Sequence, residues 1–180
     1  MKIFTISAKA RHGKDLTAQI MKEKLETVGK KVFIVHYGDY VKYVCKEYFG
    51  WDGQKDEKGR TILQRIGTDV VRAKHPDFWV ETVERLINVF QDDFDYFIIP
   101  DCRFQNEVEY LRDKGYNVTA FKVIRLNFES ELTEEQKRHP SETALDDYIF
   151  DVYFECESGK ENVEKAVNAF IEKEIVSETI

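Results

Sequence analysis

The stretch Lys2-Ile3-Phe4-Thr5-Ile6-Ser7-Ala8-Lys9-Ala10-Arg11-His12-Gly13-Lys14-Asp15 begins as a strand and ends as a helix. Lys2 to Ser7 is short, apolar and rich in isoleucine. After it, Leu16, Ile20, Leu25 and Val28 recur at helical intervals, and Gly29 is placed to end that helix. Reading outward, Val32 to Tyr37 is a second strand, followed by a helix from about Asp39 to Phe49. Trp51 to Arg60 is polar, with Gly53 and Gly59, and reads as a loop. Helical spacing resumes over Ile62–Ala73 and Asp77–Phe90, divided by His75-Pro76. Tyr96–Ile99 is a third strand, wholly apolar, as a buried parallel strand should be. A helix from Phe104 to Lys114 stops at Gly115, and Val118–Ile124 is the next strand. Val152–Glu155 reads as an edge strand, and Val163, Ala166, Val167, Phe170 and Ile171 line one face of a closing helix. The order implies an α/β fold, with a parallel sheet of about five strands flanked by helices on both faces. Ligands in such sheets sit beyond the carboxyl ends of the strands.

Composition narrows the function. The 180 residues suit one domain spanning 1–180, with no repeat and no linker. Lys and Arg total 27 against 34 Asp and Glu, a net charge of -7, which argues against a partner that is a nucleic acid polymer. A few arginines can still hold a phosphate on an acidic chain. The three cysteines stand far apart without a CxxC pair, so neither a disulfide framework nor a zinc site is expected. No run is long enough for a membrane span, and the expected location is cytoplasmic.

The loop after the first strand approaches the phosphate-binding pattern GxxxxGK[ST], which must sit between a strand and a helix. Gly13 and Lys14 fit, and Ala8 through Leu16 is the segment whose backbone N–H groups, with the positive end of the helix, would cradle ATP phosphates. Two positions depart. Ala8 stands for the first glycine and brings a β-carbon to an expected tight turn. Asp15 stands for the magnesium-ligating hydroxyl, where a carboxylate can hold the metal instead. The plainer reading of Lys14 and Asp15 is that they open a helix.

Three further blocks join Gly13-Lys14-Asp15. The first is Leu63-Gln64-Arg65-Ile66-Gly67-Thr68-Asp69 with Arg72 and Asp77-Phe78-Trp79. The second is Ile99-Pro100-Asp101-Cys102-Arg103-Phe104-Gln105-Asn106-Glu107. The third is His139-Pro140-Ser141-Glu142 with Leu145-Asp146. Together, in this order, they resemble the bacteriophage-type deoxynucleoside monophosphate kinases. Animal-type phosphomevalonate kinases carry similar blocks. The resemblance implies a P-loop kinase fold with a lid near 126–146, ATP as phosphoryl donor, Mg2+ as cofactor and a nucleoside monophosphate as acceptor. It leaves open a homodimer. Leu16 departs from the threonine these kinases commonly carry.

The residues can then be sorted by task. Phosphoryl transfer needs positive groups around the moving phosphoryl more than covalent chemistry. Lys14 is expected on the donor phosphates, and Asp15 and Asp101 at the magnesium. Capping the helix that follows is the structural alternative for Asp101. Arg103, past the end of the third strand, is the first choice to clamp the acceptor phosphate. An i,i+4 pair with Glu107 is its structural alternative. Arg125, closing the next strand, is the second choice, and Arg138 and Arg11 reach the site if their loops fold over it. By the resemblance, Gln64, Thr68 and Arg72, a polar stripe by fours, belong to the acceptor pocket, as do Glu107, His139 and Glu142. Asp39, just past the second strand, is a further acceptor-side candidate that alone reads as a helix cap. A kinase of another phosphorylated metabolite, such as phosphomevalonate, and a non-catalytic nucleotide-binding protein are the alternatives.

Overall fold

The structure is a computed structural model and describes residues 1–129 and 132–178. Of the expected lid, Ser130 and Glu131 lie outside the described residues. The first strand, β1 (Lys2–Ala8), runs through the middle of a five-stranded sheet ordered β2-β3-β1-β4-β5. Its partners are β2 (Val32–Ile34), β3 (Tyr96–Ile99), β4 (Val118–Arg125) and β5 (Val152–Cys156). Every pairing is parallel.

The side-chain alternation of β1 divides the core between the two faces. Phe4, Ile6 and Ala8 pack with Ile20, Met21 and Leu25 of α1 (Lys14–Thr27) and with Val163, Val167 and Ile171 of α8 (Lys160–Glu178). Ile3 turns the other way, joining Phe97 and Ile99 against Val80, Val83 and Ile87 of α4 (Phe78–Phe90). All these side chains are buried, and truncating one of the larger ones costs about 2–5 kcal/mol.

A third group of elements stands apart on the β2 side. It comprises α2 (Tyr37–Tyr48), α3 (Glu57–Gln64) and a π-helical segment over Arg65–Arg72, gathered on Cys45, Trp51 and Ile66. Three expectations are corrected here. The second strand ends at Ile34 instead of Tyr37, because the Asp101 carboxylate takes the N–H groups of Tyr37 (2.9 Å) and Gly38 (2.8 Å) and starts α2 early. The loop expected up to Arg60 gives way to helix at Glu57, where the Asp56 side chain caps Gly59 N–H at 2.7 Å. Gly59 is a packing glycine there, since a β-carbon would lie 1.9 Å from the Gln54 carbonyl. The third correction concerns Ile62–Ala73, which is not one α-helix. From Arg65 it widens to a π-helix, and the Trp79 indole donates to the Gly67 carbonyl at 2.9 Å.

The segment 126–146, expected as a lid, contains α6 (Glu134–Arg138) and α7 (Pro140–Thr143). Their starts are local. Thr133 and Gln136 form a reciprocal capping box, and His139 caps α7 ahead of Pro140. The remaining helix, α5 (Asn106–Asp113), is entered by Arg103 and Phe104, whose N–H groups both donate to Glu107 at 2.5 and 3.0 Å. No helix among the described residues is long and apolar enough to cross a membrane. All three cysteines are buried and free.

Candidate active site

Strand order reverses direction between β1 and β3, and there the loops leaving both strands open a crevice. A cavity of about 400 Å3 occupies it. Lys14 and Asp15 line one side, Asp101 and Arg103 another, and Gln64, Thr68 and Arg72 the wall beyond. Glu107 and Glu142 complete the set of expected residues that the fold brings to this cavity.

The donor loop differs from expectation at its start. Ala8 is buried in β1, paired with Val123, and takes no part in a turn. The tight turn comes later: His12 N–H donates to the Lys9 carbonyl at 3.2 Å, and Arg11 and Gly13 hold left-handed φ values of 63° and 93°. Only Gly13 does so without strain. Gly13 leaves the first turn of α1 without a side-chain cap, so its N–H groups are available to an anion. Leu16 is partly exposed in that turn, while Thr17 faces inward and bonds the Gly13 carbonyl at 3.0 Å. Ala10 and Arg11 line a second cavity of about 220 Å3 next to Lys55 and Arg60.

Asp15 is surrounded by positive charge. Lys14 Nζ lies 2.7 Å from Oδ1, and His36 Nε2 lies 3.6 Å from it. The hydrogen bond to His36 and the Lys14 ammonium hold the Asp15 carboxyl well below the usual carboxylate range, against its burial. Asp15 in turn raises the His36 imidazole. The other ring nitrogen of His36 lies 3.3 Å from Asp39, which also bonds Lys42 at 2.6 Å. Asp39 therefore does not line the cavity and is not the cap of α2; His36 holds the cap position.

Asp101 lines the cavity but does not cap the helix after it. Its two oxygens tie the start of α2 to the end of β3. Lone pairs remain on both Asp101 and Asp15 for a hard cation. Among the described residues no three acidic, histidine or cysteine groups are arranged to hold a metal by themselves. Two carboxylates on one cavity could supply part of a Mg2+ shell, whose other positions nucleotide phosphates and water would fill.

Glu107 is 2 % exposed and pairs with Arg72, not with Arg103. Arg72 is further committed to the carbonyl of Pro76 at 3.1 Å and to the face of Phe104, 4.0 Å from the ring centre. Burial pushes the Glu107 carboxyl up, while Arg72 and two backbone N–H groups favour its charge. Glu107→Gln leaves Arg72 without its counter-charge in a buried setting. It should lower unfolding free energy by about 3 kcal/mol in a denaturant titration. A change under about 0.5 kcal/mol would mean that the pair carries no structural weight.

Arg103 Nη1 donates to the Ser141 carbonyl at 2.9 Å and pairs with the Glu142 carboxylate. Arg125 and Arg138, also expected at the site, are elsewhere. Arg125 lies over Phe128, 4.4 Å from the ring centre, and bonds Ser158 at 2.9 Å. Its backbone N–H donates to His12 Nδ1 at 2.9 Å, so Arg125 borders the donor loop and not the cavity. Arg138 is exposed at the end of α6 and lines neither cavity. His139 is held in place by structure: Ser141 N–H donates to its Nδ1 at 3.2 Å and Asp69 lies 3.5 Å from Nε2. Lys9 also leaves the phosphate cradle, pairing with Asp146 and donating to the Glu142 carbonyl. Phe78 is exposed and Trp79 is cavity wall.

Several lining residues escape a reading of the sequence. Lys42, Lys55 and Arg60 add positive charge. Burial, followed by the charges of Lys42, Lys14 and Arg60, pushes the Lys55 ammonium down. No periodic pattern marks these residues. His36 could have been found, because it follows β2 at the same sheet edge as Lys14. On a chain of net charge -7, this concentration of cations in one cavity marks a site for an anion.

Comparison with known proteins agrees. No curated protein matches the sequence. Among solved structures, a sugar kinase from Janibacter sp. superposes with a TM-score of 0.58 at 11% identity, over 96% of this chain and 95% of that one. The dephospho-CoA kinase of Campylobacter jejuni gives 0.51 at 11% identity, over 96% of each chain. A shikimate kinase from Aquifex aeolicus gives 0.51 at 12%, over 97% of this chain and 98% of that one. At such identities these likenesses show the P-loop kinase fold alone. The deoxynucleotide monophosphate kinase family matches residues 40–162, from the first turn of α2 to the first turn of α8. Since that span takes in most of the chain, including Gln64, Thr68, Arg72, Asp101, Arg103, α6 and α7, the chain belongs to the deoxynucleotide monophosphate kinase family.

Proposed function

We propose that the protein transfers the γ-phosphoryl group of ATP, with magnesium, to a deoxynucleoside monophosphate. The observation that carries this reading is that one cavity is lined by Lys14, at the uncapped start of α1, and by Arg103, past the end of β3. In the reaction the bond from the γ-phosphorus to the β–γ bridging oxygen breaks, and a bond to an acceptor phosphate oxygen forms. ADP leaves, and the acceptor becomes a diphosphate. The attacking oxygen is already anionic, so no general base is required. Lys14 and the α1 N–H groups bind the donor phosphates, and Arg103 holds the acceptor phosphate in line with them. Asp15 and Asp101 would hold Mg2+, which would neutralise charge on the phosphates. Leu63, Val41 and Trp79 give the cavity an apolar wall suited to a base, and Gln64 and Thr68 offer polar groups free of bonds to the described residues.

The test is an ADP-release assay across deoxynucleoside and ribonucleoside monophosphates, with phosphomevalonate included. Turnover with at least one deoxynucleoside monophosphate is expected. Turnover with phosphomevalonate alone, or with nothing, overturns the reading. A second measurement addresses the metal. ATP should bind at least about tenfold more weakly without magnesium, because two carboxylates then face the phosphates. Equal affinity with and without it would remove Asp15 and Asp101 from that role.

A further inference from the structure

The residue placed to receive the acceptor phosphate already holds an anion. Glu142 is seated in the cavity with its side chain 7% exposed, and its carboxylate pairs with Arg103. The neighbouring Ser141 carbonyl accepts from the same Nη1 at 2.9 Å. Both residues belong to α7, and among the described residues two further side-chain contacts hold this turn. Lys9 of the donor loop donates to the Glu142 carbonyl, and His139 before α7 stands 3.5 Å from Asp69 of the π-helical segment.

We infer that Glu142 is an internal stand-in for the acceptor phosphate, which selects phosphorylated acceptors and releases α7 when one binds. The inference rests on the proposed function, in that Arg103 is taken as the acceptor clamp. A guanidinium paired to a carboxylate is closed to a neutral ligand, because a hydroxyl cannot replace a charge-assisted pair. A phosphate dianion can. It brings more charge and more acceptor oxygens than a carboxylate, and in this cavity it also meets Lys14, Lys55 and Arg60. Arg103 therefore discriminates by exchange: a nucleoside without phosphate meets a neutralised arginine, and a monophosphate displaces Glu142. Displacement removes the bond that holds the centre of α7 against the end of β3. Admission of the acceptor and loosening of the lid are then one event.

Inorganic phosphate is the probe, since it reports on the arginine whatever the acceptor's base. Phosphate affinity is measured by calorimetry on the full chain, its Glu142→Gln and Arg103→Gln variants, and the double variant. Glu142→Gln keeps a hydrogen-bonding group of the same size, so the lid should still fold, which melting temperature checks. It should bind phosphate about tenfold more tightly, and the gain should vanish in the double variant. In the parent protein, saturating phosphate should speed amide exchange across 134–143, and in Glu142→Gln exchange there should be fast from the start. Unchanged or weaker phosphate binding in Glu142→Gln overturns the inference, since it makes Glu142 a bystander or a direct substrate contact. So does a gain that survives removal of Arg103, or no phosphate binding by any variant. The monophosphate assay is independent of these measurements. Transfer without the Glu142 effect removes this inference alone, and the Glu142 effect without transfer removes the proposed acceptor instead.

Discussion

Lys14→Met should lower kcat by about 10²–10³-fold while the protein melts where it did before. The lysine stands at the uncapped start of α1, where backbone N–H groups and the helix dipole already favour an anion. Its ammonium adds a mobile positive charge that can follow the γ-phosphoryl as charge develops. Methionine keeps the length of the stem and removes that charge. The structural cost is small because, among the described residues, Lys14 pairs only with the partly exposed Asp15, and such pairs contribute less than about 1 kcal/mol. Steady-state kinetics and a thermal melt on the same sample check both halves. Near-normal turnover with unchanged melting would remove the loop from the donor site.

Arg103→Lys should lower kcat by about 10²-fold, with ATP affinity unchanged. The substitution keeps the charge and loses the planar fork that can grip a phosphate through two parallel hydrogen bonds. A lysine there would still pair with Glu142, so the lid should stay docked and stability should hold within about 1 kcal/mol. The i,i+4 pairing with Glu107 that could have given Arg103 a purely structural purpose is absent, because Glu107 is engaged by Arg72. A loss of activity in Arg103→Lys therefore reads on the acceptor phosphate and not on a disturbed α5. Normal turnover of monophosphates would clear Arg103 of this task. Arg125, over Phe128 on the donor side, is too far along the sheet edge to inherit it, so attention would pass to Arg60.

What the sequence made plain was local. Ile3 to Ile6 and Tyr96 to Ile99 are apolar runs bounded by polar residues, and both are strands buried against helices. Gly13-Lys14 at the entrance of a helix, and Asp101 and Arg103 just past a strand, follow from strand ends, and the fold gathers Lys14, Asp101 and Arg103 in one cavity. The failures share a different cause. Asp101 bonds backbone groups 63 and 64 residues away, a contact that no spacing rule sees. Glu107 selects Arg72 across 35 residues in preference to Arg103 at four. The helix widens around Gly67, whose carbonyl accepts from an indole 12 residues further on. The lid helices were legible in principle, since Thr133 with Gln136 is a capping box, but their length of five and four residues leaves no apolar period to notice.

The clamp of Asp101 on the first N–H groups of α2 has a mechanical corollary. Backbone groups held by a carboxylate just past the end of β3 give α2 no free pivot, and Gly38 admits no larger side chain, since a β-carbon would sit 2.9 Å from Asp101 Oδ2. Trp79 bolts the π-helical segment to α4 in the same fashion. If the cavity works as proposed, the wall carrying Gln64, Thr68 and Arg72 would be the fixed jaw of a vice. The travel needed to admit substrates and shut out water would then fall to the opposite jaw, the short helices α6 and α7, which side chains such as Arg103 and Lys9 hold to the frame.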